Sequence, residues 1–330
     1  MLARIPSLRQ GMGARLYSVA THTHSQSKLQ RSLLYVPSSN DRMLEKSLSS
    51  SSDAIIYDLE DSVAPNEKER ARTTLLGFLQ RQSLDWASRT FVRLNAIDTP
   101  QFVGDITTVL KWPHLQGIVM PKIHSAEYLD KVASYVLKVR SRPLSIIASI
   151  ESARGLWDSG HIAGWKAGQG SGNKVTVSSL LFAAEDYCAD THIIRTKTRQ
   201  ELLYPRSQMA TAAKAFGIQC IDMVCVNYQD HSILREECEE GRRLGYDGKQ
   251  AIHPNQVEII QSTFVPTEKE LVRAAKIVSQ MARSHESATG AFGLDASGSG
   301  DVEMIDAPML KQAEATIAKA KAAGLKIPDV

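Results

Sequence analysis

The sequence predicts an α/β protein, a (β/α)8 TIM barrel with a C-terminal helical extension. Three observations carry this. Short apolar runs and helix-compatible stretches alternate eight times between residues 32 and 262. Two of the runs stop abruptly at acids, Leu144-Ser145-Ile146-Ile147-Ala148-Ser149-Ile150 at Glu151 and Leu180-Leu181-Phe182-Ala183-Ala184 at Glu185-Asp186. No G-x-G-x-x-G follows the first run, which counts against the runner-up, an open doubly wound sheet holding a dinucleotide.

The elements follow in order. Leu33-Leu34-Tyr35-Val36 is a first strand, and a helix capped by Asn40 or Asp41 follows its Pro-Ser-Ser turn. Ala54-Ile55-Ile56-Tyr57 is the second strand, then an acidic loop and a charged helix over 67–80. Phe91-Val92-Arg93-Leu94 and Gly117-Ile118-Val119-Met120 are the third and fourth, with a helix from Ser125. The fifth ends at Glu151 and the sixth at Asp186. A long helix ends at Phe216-Gly217, where glycine serves as the C-cap. A seventh strand spans 218–226, a helix spans 234–244, and Gln250-Ala251-Ile252 is a short eighth strand. Beyond the barrel lie a helix over 267–285, a glycine-rich flexible loop over 287–301 and a last helix over 308–323. The expected domains are a leader over 1–30, a barrel over 31–265 and the extension over 266–330.

Composition narrows the function. A chain of 330 residues, 43% hydrophobic and 23% charged, can bury a large core. No run approaches the roughly 18 apolar residues of a membrane helix. The first 31 residues hold Arg4, Arg9, Arg15, Lys28 and Arg31, and no acid precedes Asp41. Without those five the net charge of +3 becomes −2, so the body carries no nucleic-acid footprint. An Arg- and Ser-rich, acid-free leader fits a mitochondrial transit peptide, with Arg15-Leu16-Tyr17-Ser18 as its processing site. Cys188, Cys220, Cys225 and Cys238 form no C-x-x-C pair and are expected to be reduced and non-catalytic.

Acids at strand C-termini stand where parallel α/β folds gather ligands. Glu151 and Asp186 could therefore converge on one divalent cation, Mg2+ by the hardness of its donors. Each could equally be an exposed helix N-cap. Asp58-Leu59-Glu60-Asp61 places three acids at another strand tip, where they repel one another unless a cation or water network satisfies them. Arg93 interrupts an apolar strand; it either holds a substrate carboxylate or pairs with Asp58 or Glu60. Arg42 and Lys46, four apart, share a helix face that could grip phosphates or simply be solvated. His253 ends the eighth strand, a usual phosphate-binding region of barrels. Lys122 invites a Schiff-base reading, but a salt bridge to Glu151 or the acidic loop is the expectation. By position alone Asp306 is a helix N-cap.

Together, and in this order, the motifs resemble the citrate lyase β-subunit-like family of the HpcH/HpaI aldolase superfamily, closest to its mitochondrial branch. The matching pieces run from Leu34-Tyr35-Val36-Pro37 through Asp58-Leu59-Glu60-Asp61-Ser62-Val63, Val92-Arg93-Leu94-Asn95, Met120-Pro121-Lys122 and Ile150-Glu151-Ser152-Ala153-Arg154-Gly155. They continue through Ala184-Glu185-Asp186 and Gly248-Lys249-Gln250-Ala251-Ile252-His253-Pro254-Asn255 to Met304-Ile305-Asp306-Ala307-Pro308. The resemblance implies that Glu151 and Asp186 hold Mg2+, with Mn2+ as an alternative. It implies that Arg93 contacts an α-keto acid and stabilises its oxyanion. Tyr35, Arg42, Lys46, Ile252 and His253 would line the CoA side, Arg42 standing where a relative has Lys. Asp306 would be a general base reaching a neighbour's site in a homotrimer. The implied activity is a C–C lyase splitting citramalyl-CoA or malyl-CoA into an α-keto acid and acetyl-CoA in the mitochondrial matrix. Malate synthase or acyl-CoA thioesterase activity, the β subunit of a citrate lyase complex, and an inactive CoA-binding protein stay open. One departure stands beside the acids: Ala183-Ala184 replaces the family's Gly-Gly, which narrows close backbone approach.

Overall fold

The computed structural model describes residues 29–168, 174–286, 292–294 and 303–330. Nearly all of the leader and most of the glycine-rich loop thus lie outside the described residues. Eight parallel strands close into a barrel in chain order. They are β1 Ser32–Pro37, β2 Ala54–Asp58, β3 Thr90–Arg93, β4 Gly117–Met120, β5 Leu144–Ile150, β6 Val175–Phe182, β7 Gln219–Asp222 and β8 Gly248–Ala251. Closure is β8 on β1, with Leu33 beside Gln250 and Leu34 beside Ala251. The first helix, Asp41–Ser47, is capped by Asn40, whose side chain accepts from the Met43 amide at 3.1 Å. Gly217 (φ +68°) and Gly245 (φ +94°) end their helices in the left-handed conformation.

Several expected boundaries shift, β8 for one running Gly248–Ala251 without Ile252, and two of the shifts bear on the site. β6 stops at Phe182, so Glu185 and Asp186 lie in the first turn of the helix Ala184–Thr191 rather than at the strand's end. Acids there gain from the helix dipole. β7 pairs only to Asp222, yet Met223 and Cys225 stay buried as irregular backbone, which is why the apolar run reads longer than the strand.

Strand alternation sorts the core into two layers. Leu33, Ala54, Ile56, Phe91, Val119, Ile147, Leu181 and Ile221 plug the barrel interior. Their neighbours, such as Leu34, Ile55, Val92, Ile118, Ile146 and Leu180, pack outward under the helices. Period two then places the next inward positions above the plug, at the C-terminal mouth. Those positions include Tyr35, Asp58 and Arg93, and on β5 Ser149 with Glu151 one step further.

Outward positions on β7 and β8 carry charge instead. Asp222 and Lys249 are fully buried. Arg206, also buried, donates to both Asp222 oxygens at 3.2 and 2.7 Å, and Lys249 Nζ lies 2.9 Å from Glu237. Asp222→Ala removes the carboxylate facing a buried guanidinium. It is expected to cost about 3–5 kcal/mol, read as a lower urea midpoint; an unchanged midpoint would refute this account of the layer.

All four cysteines are free, three of them buried. Burial pushes the Cys225 thiol up to about 11 and Cys238 to about 12, and it drives Cys220 well above the ordinary range. Half-buried Cys188 is raised as well, again by burial. Because the thiolate is the reactive form, native protein at pH 8 should react with Ellman's reagent at Cys188 at most. Denaturation should expose all four; rapid native labelling of several would contradict the burial.

After the barrel, the helices Glu268–Glu286 and Ala307–Ala322 form an arm. β9 Phe292–Leu294, inside the stretch expected to be loop, pairs antiparallel with β10 Glu303–Ile305, just beyond it. The arm has its own small core of Ala274, Ile277, Met281, Ile305 and Ala313. Its root is tied to Arg242 through Glu270. Lys319 on its second helix lies in the field of Asp247, Lys214, Arg242 and Arg31. Arg31 and Asp247 immediately precede strands, and Lys214 and Arg242 sit at helix C-termini. The arm is therefore rooted at the N-terminal face, opposite the mouth.

Candidate active site

The mouth is built around Arg93. Its Nε and Nη2 donate to the two oxygens of Asp58, each at 2.7 Å, and its plane lies 4.8 Å over the Tyr35 ring. Nη1 remains, 3.1 Å from Glu60 Oε2 and 3.4 Å from Asp61 Oδ2. The pairing with Asp58 and Glu60 expected as an alternative is present, and two of the three arms are occupied by Asp58. Burial pushes Asp58 up, but Arg93 outweighs it and holds the carboxyl below the usual range. Lys68 fixes the acidic loop from behind, donating to the Leu59 and Glu60 carbonyls at 2.9 and 2.6 Å and to Asn95 at 2.8 Å.

Glu60 and Glu151 are both buried. Burial first, then the charges of Glu151 and Asp61, push Glu60 up to about 8 despite Arg93 and Lys122. Burial, followed by the Asp186 charge, pushes Glu151 up to about 7, although Ser149 donates to it. These carboxyls are short of positive charge, and their hard oxygens suit a divalent cation such as Mg2+. Asp186 is exposed in the first turn of its helix, close enough for its charge to act on Glu151. Beside it, Glu185 turns away and pairs with Arg195. Among the described residues no three His, Cys, Asp or Glu side chains group closely enough to hold a metal alone. A cation here would need oxygens from water or substrate as well.

Next to the carboxylates lies a cavity of about 420 Å³, lined among others by Tyr35, Met43, Lys46, Ile252 and His253. It brings together four of the five residues expected on the CoA side. Arg42 is exposed and does not line it; Met43 takes that place. Arg42 and Lys46 share one side of the helix in projection, but only Lys46 borders this cavity. His253 accepts from the Asn255 amide at 3.2 Å and stacks on Tyr228, centroids 5.0 Å apart. Lys122 pairs with Glu60 in the acidic loop, Nζ to Oε1 3.4 Å, rather than with Glu151. Asp306 caps the helix Ala307–Ala322, accepting from Met309 N at 3.2 Å, and is exposed at the arm's far end.

Two contributors were not singled out in the sequence. Gln250 accepts from Tyr35 Oη at 3.1 Å and donates to the carbonyls of Phe182 and Asp222 at 2.9 and 3.0 Å. It thereby ties the strands beneath the mouth, and its inward parity next to Leu33 was the available signal. Lys68, inside a charged helix, gave none.

A barrel with clustered carboxylates, a clamped arginine and a lysine-bordered cleft at its C-terminal mouth is the frame of an aldolase-class lyase. The HpcH/HpaI aldolase/citrate lyase family matches residues 31–254, and the chain belongs to that family. It is 33% identical to the citrate lyase subunit beta-like protein of Deinococcus radiodurans over 288 residues, covering 86% of this chain and 95% of that one. It is 30% identical to the mitochondrial citramalyl-CoA lyase of Homo sapiens over 304 residues, covering 90% of this chain and 87% of that one. Among solved structures it resembles CitE from Mycobacterium tuberculosis in complex with magnesium, acetoacetate and coenzyme A. The TM-score is 0.71 at 25% identity, over 91% of this chain and 99% of that one.

Proposed function

We propose that the protein is a Mg2+-dependent C–C lyase that splits citramalyl-CoA or malyl-CoA into an α-keto acid and acetyl-CoA, reversibly. The observation that carries this is the pair of buried carboxyls, Glu60 and Glu151, lacking a full complement of positive charge beside a cleft with a lysine at its edge. Glu151 and Asp186 would hold the cation, with Mn2+ as an alternative. When bound, it would supply Lewis-acid polarisation of the keto-acid oxygens. Arg93 Nη1, the arm not bonded to Asp58, would exchange its contacts with Glu60 and Asp61 to stabilise charge on the same oxygens. Tyr35, Lys46, Ile252 and His253 would seat the CoA portion, with Arg42 at its solvent margin.

The thioester needs a proton returned to, or removed from, its α-carbon. We assign that to Asp306. In its own chain the residue lies on an arm rooted at the face opposite the mouth, so the assignment requires a second copy. A homotrimer in which each arm completes a neighbour's site satisfies this. A mitochondrial matrix location is supported by the mitochondrial relatives from Homo sapiens, Rattus norvegicus and Mus musculus and by the leader's composition.

The deciding experiment is a coupled assay on (3S)-citramalyl-CoA, with Mg2+ and with EDTA, following pyruvate and acetyl-CoA together. Both products should form only with metal, and malyl-CoA should then test specificity. Free CoA with an intact acyl acid would instead establish a thioesterase. No turnover of either ester would refute the lyase reading.

A further inference from the structure

We propose that Lys122 is a substrate-binding residue, its ammonium receiving the carboxylate of the α-keto-acid half of the substrate. This rests on the lyase reading above and gives a role to the lysine of the Met120-Pro121-Lys122 motif, which the site assignments leave without one.

The backbone is the first reason. On β4, Val119 faces the barrel interior, and Ile118 and Met120 face outward. Continued alternation would send Lys122 outward, into the helix layer. Instead Lys122 adopts φ +52°, a left-handed conformation that side chains other than glycine rarely take. The neighbouring structure enforces the turn. Ile123 N donates to the Ser149 carbonyl at 3.4 Å. Behind it, the Ile123 carbonyl sits where a Cβ on Gly155 would meet it at 2.6 Å, so only glycine lets the helix Ala153–Trp157 pack this close. The turn is thus held between the end of β5 and the helix after Glu151. Its effect is to swing a lysine that strand geometry would bury outside over the mouth.

The second reason is availability. Arg93 is held by two bonds to Asp58, by Nη1 contacts to Glu60 and Asp61, and by the Tyr35 ring. Among the described residues Lys122 has one ion pair, 3.4 Å to Glu60, and its side chain is 44% exposed. A compact ammonium on a flexible stem exchanges one carboxylate for another more readily than a guanidinium clamped on two of its arms. The third reason is charge state. Burial would pull Lys122 down, but Glu60, Glu151 and Asp61 outweigh it and hold it above its ordinary value. It stays an ammonium, suited to binding an anion and unsuited to Schiff-base attack.

The test is calorimetric titration of pyruvate, of acetyl-CoA and of Mg2+ into wild type, Lys122→Met and Lys122→Arg, with the two organic ligands titrated in the presence of Mg2+. Lys122→Met keeps the backbone and the stem and removes only the charge. It should weaken pyruvate by about tenfold or more, leave acetyl-CoA within about twofold, and retain Mg2+ and the melting temperature. Lys122→Arg should recover part of the pyruvate affinity. Unchanged pyruvate affinity in Lys122→Met overturns the proposal. A joint loss of all three ligands with a lowered melting temperature also overturns it, assigning Lys122 to the fold. If wild type with Mg2+ binds no pyruvate, the lyase reading itself fails and this inference with it.

Discussion

Glu151→Gln is expected to abolish Mg2+ binding and to lower turnover by on the order of a thousandfold, about 4 kcal/mol of transition-state stabilisation. Glutamine keeps the volume and one acceptor oxygen but not the charge. In the wild type that charge sits in a buried position next to Glu60 and Asp186, which is why burial holds the Glu151 carboxyl near 7. An ionised carboxylate there is tolerated only with a cation. Removing the charge should therefore not harm the metal-free fold. The melting temperature in EDTA should hold or rise, whereas added Mg2+ should no longer raise it, as it raises the wild type by binding only the native state. This combination separates a lost ligand from a broken fold. A variant that still titrates with Mg2+ at wild-type affinity would falsify the assignment.

Asp306→Asn should stop exchange of the acetyl-CoA methyl protons with solvent and cut turnover by roughly 10² to 10⁴, the usual contribution of a positioned general base. Mg2+ affinity should be untouched, since the residue lies on the arm and not among the carboxylates of the mouth. Asparagine is itself a good N-cap, so the helix Ala307–Ala322 should remain capped as Asp306 now caps it. The stronger test is complementation. Glu151→Gln and Asp306→Asn subunits, each inactive, are mixed after dissociation and reassembled. If each site takes its carboxylates from one copy and its base from another, roughly a quarter of the sites in an equal mixture regain both. Activity should reappear on mixing. Permanent silence, with mixed assemblies shown to form, would place the base within one chain or remove Asp306 from the chemistry.

The two experiments address features of different legibility. Eight β-then-α units could be read because each strand is a short apolar run with its own turn chemistry, a local property. The inward positions of Tyr35, Asp58, Arg93 and Glu151 follow from period two once the plug residues are known. The charge deficit at Glu60 and Glu151 was only half legible: the acidic loop stood out, but which acid would be buried beside Glu151 did not. Asp186 reads as a strand end because its preceding run is apolar. The alanines and acids of that segment close into a helical turn before it is reached.

The order of strands and helices, the strand tips that carry acid, and the isolation of Arg93 in an apolar run are legible in the chain before it folds. These depend on alternation, on breakers and on the cost of burying charge, all written in neighbouring residues. Which groups become partners is set by folding in three dimensions. Folding gave two arms of Arg93 to Asp58 and turned Lys122 through a left-handed residue onto Glu60. It left Arg42 outside the cleft that Lys46 borders, and it rooted the Asp306 arm at the face away from the mouth. Ion pairs form between groups that close approach in space brings together, and chains dozens of residues apart meet only when the barrel closes.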